Sequence, residues 1–122
     1  SIKFPNIEYR ITDATKIDIN NKFWAINYFW PGDKKRLKPS QDLILSKHKE
    51  GASHSQSEIV ERLIQFKIEE TKIISTSKKP IQLKLDKKSR NWEGIVQLED
   101  KGFLIATDKY PKMILAFLEY KL

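Results

Sequence analysis

Phe23-Trp24-Ala25-Ile26-Asn27-Tyr28 and Phe103-Leu104-Ile105-Ala106-Thr107-Asp108 decide the fold class of this chain. Each packs aromatic and branched residues into a short apolar run that follows a turn signal, Asn20-Asn21 before the first and Asp100-Lys101-Gly102 before the second. Runs of this length and composition predict strands buried on both faces. The two runs lie over one another at an offset of 80 residues, and the match extends outward. Arg10-Ile11-Thr12-Asp13-Ala14 falls over Arg90-Asn91-Trp92-Glu93-Gly94, and Pro31 over Pro111. Each copy therefore reads as Arg, an acid three residues later, a tiny residue, a strand, a turn and a second strand.

Alternation of apolar and polar residues predicts further strands at Ile17-Asp18-Ile19, Ile64-Gln65-Phe66-Lys67-Ile68 and Ile81-Gln82-Leu83-Lys84-Leu85. The first copy then consists of strands Thr15–Ile19, Phe23–Tyr28, Val60–Ile68 and Ile81–Leu85. The second consists of Ile95–Leu98, Phe103–Thr107 and Met113–Tyr120. Ser55 and Glu58 have the spacing of a capping box, and Ile59, Val60, Leu63, Ile64 and Phe66 would line the helix that follows it, the alternative to a strand there. The period of two favours a strand over residues 60–69. Residues 31–57 read as a long loop rich in Lys and Ser, with Asp42-Leu43-Ile44-Leu45 as a short strand or an anchor onto the core. The expected fold is all-β: a single β segment over residues 1–122, with a four-stranded antiparallel unit at about 13–85 and an incomplete one at about 91–120.

Composition narrows the function classes. The 122 residues are 39% hydrophobic, enough for a core. No apolar run reaches the roughly 18 residues of a membrane-spanning helix. With no cysteine, disulfides, thiolate nucleophiles and Cys-based zinc sites are excluded; the compartment stays open. A net charge of +7 raises the question of nucleic acid. Lys alternates with Glu and Asp, however, as in Lys67-Ile68-Glu69-Glu70-Thr71-Lys72, and the basic runs at Lys34-Lys35-Arg36 and Lys87-Lys88-Ser89-Arg90 are short, which reads as a solvated surface. His48 and His54 have no standard metal-ligand spacing. Gly51-Ala52-Ser53-His54-Ser55 lacks the second glycine of a nucleophile elbow.

Asn91-Trp92-Glu93-Gly94-Ile95, Gly102–Asp108 and Met113–Phe117 together resemble the closing blade of the phytase-like and esterase-like β-propeller family. Thr12-Asp13-Ala14-Thr15 with Phe23–Asn27 resembles the blade before it. The wider group includes the gluconolactonase and regucalcin propellers. The resemblance implies a propeller fragment of about two blades, the last incomplete, with the remaining blades supplied by the same or a partner chain. It also implies a calcium-dependent ester or phosphoester hydrolase that acts only within the larger protein, on a small anionic substrate at the mouth of the central channel. Glu93 and Asp13 would be metal ligands, and further ligands would come from other blades. Arg90 and Arg10 would grip the substrate, and Asn91, Asn27, Tyr28, Trp30 and Asp108 would rim the site; no residue is identified as catalytic. A plainer arrangement pairs Glu93 and Asp13 with the neighbouring arginines or with turn amides. Two other functions stay open: a non-catalytic propeller that binds a protein or glycan through residues 31–57, and an independent small β-sandwich that serves as a binding module.

Overall fold

The computed structural model describes residues 2–29, 42–48, 60–83, 92–107 and 113–121. Within them the chain is all-β, built from antiparallel strands with one short helix. A first sheet contains β1 (Arg10–Ala14), β2 (Lys22–Phe29), β3 (Val60–Glu69) and β4 (Lys72–Ser75) in that order, and β5 (Ile81–Gln82) also pairs with β3. A second sheet contains β6 (Trp92–Leu98), β7 (Gly102–Thr107) and β8 (Leu115–Glu119). The helix α1 (Leu43–His48) lies between β2 and β3 in sequence.

β2 is buried on both faces, as its composition predicts. Trp24 and Ile26 point one way and join Leu63 and Leu83 against Trp92, Ile95, Phe103 and Ile105 of the second sheet. The two sheets thus share a core, and the Trp24 ring meets Phe103 and Tyr120 edge-on, each at 5.5 Å between centroids. Phe23 and Ala25 point the other way, to Ile64, Phe66 and Ile44 of α1. Burying each large apolar side chain here contributes roughly 1.5–3 kcal/mol.

Four elements depart from the sequence reading. The first strand is β1, Arg10–Ala14, rather than Thr15–Ile19. The cause is local: Asp18 Oδ1 accepts the N–H groups of Asn20 (2.7 Å) and Lys22 (2.9 Å) and folds that stretch into a turn. The strand beyond β3 is β4, reached through a tight turn in which Glu70 takes φ 51°. The Ile81 region does not extend the meander; β5 pairs instead with the first half of β3, through Arg62 and Leu63. Asp42 and Ile44 anchor this segment on the first sheet as expected, but it is helical from Leu43 rather than extended.

Residues 60–69 form one ten-residue strand, so the capping-box alternative does not arise there. The turn expected at Asp100-Lys101-Gly102 joins β6 to β7, closed by Lys101 N–H donating to Leu98 O at 2.9 Å. Gly102 is required at that corner. It holds φ 150°, and a Cβ would collide with the carbonyl oxygen of Leu118.

Candidate functional site

The acid-bearing turns of the two copies are β-bulges. In β1 the register slips between Ile11, opposite Asn27, and Ala14, opposite Ala25, so Thr12 and Asp13 share the bulge. In β6 it slips between Trp92, opposite Thr107, and Gly94, opposite Ala106, which places Glu93 on the bulge. A bulge re-aims its side chains out of the regular pleat, and bulges recur beside functional sites. The offset of 80 residues therefore carries a real backbone feature from one sheet to the other.

The two bulges also meet. Thr12 Oγ1 donates to the carbonyl oxygen of Trp92 at 2.8 Å, and Asp13 Oδ2 accepts the N–H of Ile95 at 2.9 Å. These side chains satisfy backbone groups on an edge of β6 that no strand pairs among the described residues, so the first sheet clamps the second. Asp13 is half-buried and engaged in this brace, while Glu93 and Arg10 are exposed. Beside the clamp, a cleft of about 380 Å³ is lined by Ala14, Lys16, Ile17, Asp18, Ile95, Val96, Gln97 and Glu99. Among the described residues no three His, Asp or Glu side chains converge as a metal site would require.

The other site residues separate. Tyr28 is buried, and opposite it on β3 lies Glu61, also buried. Asn27 is fully enclosed. Its Nδ2 donates to the carbonyls of Glu8 (3.0 Å) and Arg10 (3.1 Å), and its Oδ1 accepts from Arg62 Nε at 2.8 Å. Trp30, Arg90, Asn91 and Asp108 lie outside the described residues.

Sequence reasoning missed the most fully organised polar group among the described residues. Arg62, at 0% exposure, points to the α1 side of the first sheet and donates from Nη1 to Asp42 Oδ2 (2.8 Å) and from Nη2 to Asp42 Oδ1 (2.9 Å). Its guanidinium carbon stands 5.4 Å from the centroid of the Tyr9 ring. Asp42 Oδ1 also accepts the N–H of Ile44, at 3.2 Å. A two-pronged guanidinium–carboxylate pair held at a third point by Asn27 is rigid and directional. It fixes α1 on the sheet, assisted by Lys47 Nζ donating to Thr76 O at 3.4 Å. The signal was present in the strand pattern. Arg62 shares its parity with Val60, Ile64 and Phe66, and a charge on an apolar face calls for a buried partner.

Fold and site together define an all-β protein of two stacked antiparallel sheets joined by paired bulges. Comparison with protein-family models, curated proteins and solved structures finds no match to this chain. No helix among the described residues is long and apolar enough to cross a membrane.

Proposed function

We propose that these two sheets are consecutive blades of a β-propeller-type platform, and that further sheets, from the same polypeptide or a partner chain, complete it. One observation carries this reading: two meanders in the same strand order, each with a bulge at the same repeat position, stacked face to face across Trp24 and Phe103. The outer face of the second sheet supports it. Its cross-strand rows are Gly94–Ala106–Leu115, Val96–Leu104–Phe117 and Leu98–Gly102–Glu119, with a single charge among nine positions. Val96, Leu115 and Phe117 are 57%, 67% and 53% exposed there. An apolar sheet face of this kind suits burial against another sheet.

Within such a platform, the family resemblance makes Glu93, exposed on the β6 bulge, the first candidate ligand for a channel-mouth cation. A cation held there together with ligands from other blades would polarise a phosphoryl or ester oxygen. The support for ester or phosphoester hydrolysis is the family resemblance. Calorimetric titration with calcium of the protein that carries these two sheets tests it. The expected result is binding that Glu93→Ala weakens at least tenfold; no heat of binding, or an unchanged Glu93→Ala isotherm, removes the cation site.

A second reading, a non-catalytic platform that binds a protein or glycan through residues 31–57, is favoured by the Asp42–Arg62 anchor. That pair fixes the middle of the segment on the sheet. Loss of ligand capture on deleting residues 33–41, with Glu93→Ala silent, would select it.

A further inference from the structure

The outer edge of β8 carries its own information about what pairs with it. Tyr120 N–H donates to Lys101 O (3.0 Å) and Thr107 N–H donates to Ile114 O (2.9 Å). In an antiparallel ladder this parity turns the backbone groups of the even-numbered β8 residues toward β7. The N–H and C=O groups of Leu115, Phe117 and Glu119 face away from it, and among the described residues no strand meets them. β3 has the same parity. Ile68 N–H donates to Asn21 O beside β2, while Thr76 N–H donates to Gln65 O beside β4. Gln65, Lys67 and Glu69 therefore face β4 as Leu115, Phe117 and Glu119 face outward. The two strands also end on a branched apolar residue followed by glutamate, Ile68-Glu69 and Leu118-Glu119. In the first sheet the answering strand places Lys72 opposite Glu69, Ile73 opposite Ile68, Ile74 opposite Lys67 and Ser75 opposite Phe66.

We infer that the β8 edge is a strand-addition site for an extended polypeptide segment that docks antiparallel in the register of β4. Its recognised sequence is a cation followed by two branched apolar residues. The cation lies opposite Glu119, and a groove of about 550 Å³ lined by Asp100, Lys101, Phe117, Glu119 and Lys121 receives that end. The first apolar residue falls opposite Leu118, whose side chain packs on the core between the sheets. The second falls opposite Phe117, on the outer face. Main-chain hydrogen bonds supply the binding, and the alternating side chains supply the selectivity. β8 has no proline, and its Leu115 and Phe117 are exposed, so nothing in the strand itself blocks addition. The site goes beyond the platform reading: it stands whether or not calcium binds, and whether or not a ring forms.

The probe is an acetylated, amidated peptide copying Thr71-Lys72-Ile73-Ile74-Ser75-Thr76, added to the intact chain. Residue-resolved hydrogen exchange is expected to show saturable protection of the Leu115, Phe117 and Glu119 amides. Ala116 and Leu118, already bonded to β7, should be unchanged. A Lys72→Glu peptide should bind about two- to fivefold more weakly, the scale of one exposed cross-strand charge pair. Phe117→Pro, which removes an outward N–H and leaves the β7 ladder intact, should abolish binding, while Phe117→Ala should retain it. Three results would each overturn the inference: no protection at millimolar peptide, protection mapping to β1 or β4, or equal protection in concentrated chain without peptide. The last would assign the edge to a second copy.

Discussion

Removing Asp42 tests the buried network directly. Asp42→Ala leaves the Arg62 guanidinium, at 0% exposure, with Asn27 Oδ1 and the Tyr9 ring as its remaining described partners. Breaking a buried pair by removing one member costs about 3–5 kcal/mol, because an uncompensated charge stays in a low-dielectric site. Ile44 N–H loses its acceptor as well, which adds to the loss. Against a typical total stability of about 5–15 kcal/mol, the variant should be marginal at room temperature. Urea denaturation followed by Trp fluorescence reads this out. With a slope of about 1–3 kcal/mol/M, the midpoint should fall by at least 1 M. The companion experiment is Asp42→Leu with Arg62→Met. That double change replaces charge by apolar volume and should recover most of the loss, with a cycle coupling above about 2 kcal/mol. Asp42→Ala costing less than 1 kcal/mol, or singles and double that simply add, would show that water reaches the pair and would refute the argument.

Three further outcomes follow from the geometry. Gly102→Ala should destabilise by more than about 2 kcal/mol, because the new methyl group strikes the Leu118 carbonyl and the residue cannot relax from φ 150°; thermal unfolding checks it. Asp13→Ala should cost about 1.5–3 kcal/mol by orphaning Ile95 N–H, whereas Asp13→Asn, which keeps an acceptor oxygen, should cost under half as much; chemical denaturation of the pair reads the difference. Trp24→Ala should cost about 3–5 kcal/mol and loosen the second sheet from the first, seen as exchange of β6 and β7 amides well below the global unfolding energy.

Patterns that depend on neighbours in sequence were legible without coordinates. The burial of β2 on both faces, the strand over residues 60–69 and the corner at Gly102 all follow from short runs and turn chemistry. The repeat was legible too and paired Asp13 with Glu93; that both lie on bulges is a backbone property no side-chain pattern displays. What failed depended on competition. Ile17-Asp18-Ile19 alternates like a strand, but the Asp18 carboxylate captures two backbone amides and wins locally. Lys72–Ser75 was overlooked because a four-residue strand has too few positions for periodicity to register. Arg62 and Asp42 are 20 residues apart, and only the fold brings them together.

The equivalence of Asp13 and Glu93 raises a sharper question, because the two acids meet different surroundings. Asp13 sits on the bulge of the strand that lies beside β6, and its carboxylate takes up an edge amide of the next sheet. A third sheet stacked on the second in the same manner would bring its own first strand to the same position beside β6. Glu93 would then brace that strand as Asp13 braces this one. On this geometry the acid at each repeat would be a sheet-to-sheet fastener, and Glu93→Ala should weaken the chain's hold on a third sheet whether or not calcium is present. A cation site predicts the opposite dependence, since loss of calcium binding would accompany Glu93→Ala and chelator would reproduce it. Unfolding of wild type and Glu93→Ala in the completed protein, each with calcium and with chelator, separates the two. A fastener loses stability equally in both conditions, and a ligand loses it only where calcium is present.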